Sequence, residues 1–205
     1  MLNLVQQQLQ AMYRIEAPGI EPFLLDDKQL GNVLGPHRRP ADEWVLVRET
    51  GEGLDLGVWI AATHRQRLDE LHDLRAAVQS AFPALCAAIE GVSHFLLLSE
   101  RARRREPIRL PELEAQAEVD KYMCARLHAP ARSREWQARL FRDAQLRDGL
   151  SSEERQRYLE AGRLAEGLCD HLDRQPHDDA RLRDLRSFWR ASGSQRMERM
   201  RRLAA

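Results

Sequence analysis

The spacing of apolar and polar positions changes period twice along this chain. Residues 3–13 place apolar side chains at helical intervals, and Pro18 and Pro22 then interrupt the pattern. Residues 27–34 predict a second short helix before a loop at 35–40. Two β-branched and aromatic runs follow, 44–49 (WVLVRE) and 54–60 (LDLGVWI), around Thr50-Gly51-Glu52-Gly53. That arrangement predicts a β-hairpin, with Leu54, Leu56, Val58 and Ile60 alternating as the face to be covered. A lone hairpin is marginal in water, so this face must pack on helices or an edge must pair. From about residue 62 the period is helical to the end, with helices expected at 65–80, 82–104, 110–127, 133–147, 152–174, 179–191 and 194–203. Pro83 and Pro111 suit first helical turns. Ser151-Ser152-Glu153-Glu154 is a capping box, and Tyr158, Ala161, Ala165, Leu168 and Leu172 form a seam in the helix it starts. Pro176 ends that helix. The expected class is mainly α (α+β): a helical bundle, 62–205, with a small N-terminal β-hairpin in a portion, 1–61, packed on it as one structural domain.

One segment breaks its own pattern. Residues 82–99 (FPALCAAIEGVSHFLLLS) are almost all apolar, yet carry Glu90 and His94 one helical turn apart. Burying a carboxylate or an imidazole alone is costly, so each needs a partner, water or a task. The stretch is long enough for a membrane span, but Glu90, Ser93 and His94 lie at its middle, so a buried core helix is expected and no membrane. The next helix carries a matching oddity, with Gln116 and Asp120 inside the apolar face of Leu113, Ala117, Cys124 and Leu127. A short connection at 106–109 makes the two helices antiparallel neighbours. Glu90, His94, Gln116 and Asp120 are therefore expected to meet in one buried polar cluster, with Glu114 and Glu118 on a solvated side near Lys121. The favoured reading is a closed network that fixes the register of two core helices, completed by Arg101 or a backbone carbonyl. The competing reading is a ligand or acid–base site between facing helices. The residues alone assign no catalytic group, no metal ligand and no cofactor.

Two known metal patterns do not fit. Helical nucleotide pyrophosphatases hold Mg²⁺ with Glu-Glu-x-x-Glu and Glu-x-x-Asp on two helices, whereas the carboxylates here (Glu112, Glu114, Glu118, Asp120) are differently spaced and diverge around one helix. His177-Asp178 matches the central pair of metal-dependent phosphohydrolases, but follows Pro176 without companion ligands. Next to the acidic run Asp170, Asp173, Asp178 and Asp179, His171 and His177 are more simply helix-end residues.

Composition narrows the function classes. Lys+Arg and Asp+Glu are both 32, so net charge gives no general attraction to nucleic acid or anionic membrane. Only Lys28 and Lys121 are lysines, a bias expected of a GC-rich genome. Local excess exists at the C-terminus, where eight arginines from Arg181 onward face only Asp184 and Glu198. Arg190, Arg196, Arg199, Arg201 and Arg202 are the candidate contacts for nucleic acid or a protein partner. The alternative is a solvated arginine face, with Leu182, Leu185, Phe188 and Trp189 turned inward. Cys86, Cys124 and Cys169 are too few and too scattered for a disulfide framework or zinc ribbon. No secretory pattern opens the chain, and a cytoplasmic location is expected. The leading expectation is a non-catalytic helical interaction or regulatory module with a protein partner. Behind it come a metal-dependent hydrolase or oxidase using a Glu/His/Asp site, and a nucleic-acid accessory protein using the arginine surface.

Overall fold

The computed structural model describes residues 1–35, 40–51, 53–146 and 148–205. Among these, the N-terminal elements are α1 (Leu2–Tyr13), α2 (Asp27–Leu34), β1 (Glu43–Thr50) and β2 (Gly53–Ile60). Then come α3 (Ala62–Asp69), α4 (Leu74–Ser80), α5 (Phe82–Arg104), α6 (Leu110–His128) and α7 (Ser133–Gln137). The chain closes with α8 (Ser152–Asp173), α9 (Asp178–Arg190) and α10 (Gly193–Leu203). The fold is mainly α with one small antiparallel hairpin, the class read from the periodicity.

The hairpin pairs Glu43 with Ile60 through to Thr50 with Gly53, and residue 52 of its connection lies outside the described residues. Val58 and Ile60 pack on α5, where a Cβ on Gly91 would come within 3.1 Å of Val58 Cγ1. Trp59 faces the other way and donates Nε1–H to Asp27 Oδ1 at 2.8 Å, so α2 covers the second face. The Leu25 amide bonds Val58 O at 2.8 Å, which gives the edge of β2 a partner. The hairpin thus meets both of its needs, a covered face and a paired edge.

Helix α5 is the central element, apolar around most of its circumference, and packs on α1, α3, α4, α6 and the hairpin. By length and composition it could cross a bilayer, yet 78% of its apolar window is buried inside the protein. Pro83 occupies its first turn, and Pro111 that of α6. The capping box of α8 is present in full, with Ser151 Oγ accepting from the Glu154 amide and Glu154 from the Ser151 amide at 2.8 Å. Two helices differ from expectation. The segment 65–80 is split into α3 and α4, because Asp73 turns its side chain onto the Ala76 amide at 2.7 Å and starts a new helix. The expected helix 133–147 continues beyond α7 only as a π turn, Ala138–Arg142. The loop expected at 35–40 lies mostly outside the described residues.

Candidate functional site

Contacts between α5 and α6 run in opposite chain directions: Glu90 with Lys121, Ser93 with Asp120, Arg101 with Glu112. The pair is antiparallel, as the short connection implies. The four residues expected in one cluster do not share one set of contacts, however. Gln116 and Asp120 belong to one buried network, Glu90 and His94 to another group on the same helix pair.

The first network is closed around Asp120. Tyr13 of α1 donates its hydroxyl to Asp120 Oδ1, Gln116 Nε2 donates to the same oxygen at 3.0 Å, and Ser93 Oγ donates to Oδ2 at 2.6 Å. Gln116 also bonds Tyr13 Oη at 2.6 Å and accepts from Arg196 of α10. Arg196 pairs with Glu112 at 3.2 Å, and Glu112 with Arg101 at 2.7 Å. Burial pushes the Asp120 carboxyl up to about 6 although Ser93, Tyr13, Gln116 and Arg196 all favour its charged form. Burial also lowers Arg196 to about 10, with Glu112 acting against it. The Arg196 guanidinium lies over Phe188 at 4.8 Å and Trp189 at 5.4 Å, and Trp189 stacks on Tyr13 with ring centroids 4.2 Å apart. The network ties α1, α5, α6 and α10 together. Arg101 joins it through Glu112.

The second group is different in kind. Glu90 and His94 of α5 face Glu114, Glu118 and Lys121 of α6 and Arg157 of α8. Lys121 Nζ bridges Glu90 Oε2 and Glu118 Oε1, both at 2.7 Å. Burial would lower the Lys121 pKa, but Glu118 and Glu90 outweigh it and raise it well above the usual value, so Lys121 is an ammonium. The floor is buried, with His94 and Lys121 each 7% exposed, while the side chains of Glu90, Glu118 and Arg157 remain 21–25% exposed. The site therefore opens on the Glu90, Glu118 and Arg157 side. Glu114 and Glu118 line this site and are not the solvated pair expected from the sequence.

His94 carries the distinctive observation. Its Nε2 is buried and has no hydrogen-bond partner, while Glu114 Oε2 stands 3.9 Å away. The Leu113 backbone beside the ring and the Glu90 charge both favour its protonated form. Burial lowers the His94 pKa, so the ring is neutral near pH 7. One ligand atom each from Glu90, His94 and Glu114 lie within 4.8 Å of one another. A metal bonded at about 2.1 Å to each tolerates separations up to about 4 Å, so side-chain rotations of the order of 1 Å close the set. Burial first, and then the Glu90 charge, push the Glu114 carboxyl up to about 7, which marks a surplus of negative charge.

The other candidates resolve as structure. His177 caps α9 by accepting from the Ala180 amide at 3.1 Å, and His171 bonds Asp184 at 2.6 Å. Asp173 takes Tyr122 and Arg126, and Asp178 takes Arg181. Of the five candidate arginines, Arg196 is 1% exposed and cannot meet a partner. Arg199 is paired with Asp184, while Arg190, Arg201 and Arg202 are exposed. Leu185, Phe188 and Trp189 do turn inward. The sequence reading missed Glu114, Lys121 and Arg157; the one available signal was Lys121, one of two lysines, placed inside a core helix. Comparison with family models, with curated proteins and with solved structures finds no match, so the geometry carries the functional reading.

Proposed function

We propose that this protein binds one divalent transition-metal ion through Glu90, His94 and Glu114 and uses it for hydrolysis. The observation that carries the reading is the buried Nε2 of His94, a ring nitrogen with no hydrogen-bond partner beside two carboxylates. An unpaired polar atom in a core costs about 1–3 kcal/mol, and an ion removes that cost. One imidazole with two carboxylates suits Zn²⁺, Mn²⁺ or Fe²⁺ and leaves coordination positions for water and substrate. An ion held by three protein groups lowers the pKa of bound water and polarises a substrate oxygen. Lys121, tied to Glu118, supplies a fixed positive charge at the same floor.

This reading ranks metal chemistry above the interaction-module and nucleic-acid readings, both of which drew on arginines that include the buried Arg196. The test is metal content and calorimetric titration of purified protein with Mn²⁺ and Zn²⁺. One equivalent is expected, lost in His94→Ala and in Glu114→Gln. Folded wild-type protein that takes up neither ion overturns the proposal.

A further inference from the structure

We infer that the substrate of this site is an anion, a small phosphate ester or carboxylate, gripped by Arg157 beside the metal; this rests on the metal reading above. Three carboxylates, Glu90, Glu114 and Glu118, face two fixed cations, Lys121 and Arg157. With all three carboxylates ionised the group carries minus one, and a divalent ion brings it to plus one. The surplus positive charge falls on one residue. Lys121 keeps Glu118 at 2.7 Å when Glu90 turns to the metal. Arg157 stands 3.8 Å from Glu114 Oε1, beyond hydrogen-bond length, and its Nε is buried with no hydrogen-bond partner. Glu114 moving onto an ion weakens even that attraction.

Arg157 also has the right position and shape. It comes from α8, across the site from α5, and its side chain is 23% exposed, so it stands at the opening rather than on the floor. Its guanidinium lies 5.3 Å from the ring of Tyr158, which restricts the side chain. A guanidinium offers two parallel N–H groups to two oxygens of one carboxylate or phosphate, and Nε is one of that pair. A phosphate bound there keeps further oxygens to turn toward the metal, whereas a carboxylate would share one of its two oxygens between Arg157 and the metal. A neutral or cationic substrate would leave the buried Nε–H unsatisfied and add no compensating charge.

The experiment loads the protein with Mn²⁺ and titrates it with inorganic phosphate and, separately, with acetate by calorimetry. Expected is one anion per metal for at least one of the two, and the arm that binds separates phosphate esters from carboxylates. Arg157→Met should lose at least tenfold in anion affinity while binding Mn²⁺ within about twofold of wild type, which also shows that the variant folds. Arg157→Lys should recover only part of the loss, because a point charge lacks the fork. Mn²⁺-loaded wild type that binds neither anion, or Arg157→Met that binds as tightly as wild type, overturns the inference and leaves the metal reading standing. Failure of Mn²⁺ to bind at all overturns both.

Discussion

Asp120 is fully buried, yet its carboxyl is pushed up to about 6 from an ordinary 3.8 because burial outweighs its hydrogen bonds from Ser93, Tyr13 and Gln116. The folded state therefore holds that proton more tightly than the unfolded chain. Stability contributed by the protonated carboxyl is full below about pH 4 and is lost as pH rises through about 6. A shift of about two units corresponds to about 3 kcal/mol at 1.36 kcal/mol per unit. Asp120→Asn removes the titration and keeps the shape. The amide oxygen can accept from Tyr13 and Gln116, and the amide nitrogen can donate to Ser93, whose hydroxyl is free to turn. Urea unfolding of both proteins from pH 4 to 8 isolates the effect, because the other carboxylates titrate alike in each and cancel in the difference. The stability of wild type minus that of Asp120→Asn should fall by about 2.4 kcal/mol between pH 4 and 7 and then level off. A difference that stays flat, or one that rises with pH, would falsify the claim that burial dominates this carboxyl.

Two more perturbations separate buried from surface roles. Arg196→Met leaves Glu112 short of one of its two cations and should cost about 3–5 kcal/mol, whereas Arg202→Ala on the exposed side of α10 should change stability by no more than about 0.5 kcal/mol. Equal losses in chemical denaturation would refute the burial assignment. Ser151→Ala removes the side-chain cap of α8 and should cost about 1 kcal/mol in thermal or urea unfolding; an unchanged midpoint would show that the helix start is held by other contacts.

The elements were readable wherever one local signal decided them. Apolar spacing located α5, α6, α8 and α9, and the Ser151–Glu154 pair gave the start of α8 to the residue. The break between α3 and α4 also had a local cause, the Asp73 cap, but the apolar residues on both sides keep a helical spacing that hides it. The π turn after α7 has no such signature. It lies where Phe141 meets Tyr122, with ring centroids 6.1 Å apart, a contact made across the fold. Tyr13 was likewise out of reach, since its partner Asp120 is 107 residues away in the chain.

The site was half legible, and the half that failed has a geometric reason. On α5 the stripe of Glu90 and His94 stood out because the rest of that helix is apolar. On α6 there are two polar stripes, Gln116 with Asp120 and Glu114 with Glu118 and Lys121, about 150° apart around the axis. Apolar pattern orients a helix only when one side is wet, and α6 is buried on most sides, from Glu112 and Leu113 to Cys124 and Ala125. Either stripe could then face Glu90, and the sequence favoured the wrong one. Ser93, adjacent to His94, is what serves Asp120. The outcome is a single helix pair with two polar faces of opposite character. The Asp120 oxygens accept three hydrogen bonds, which is what a register-fixing network requires. Against Glu114, the same helices leave a buried imidazole nitrogen unbonded and a carboxyl held up near 7. The first face also leaves Arg196 Nε and Nη1 and Arg101 Nε without hydrogen-bond partners, so it is the convergence of two carboxylates on the unbonded imidazole nitrogen, and not an orphaned atom alone, that sets the second face apart.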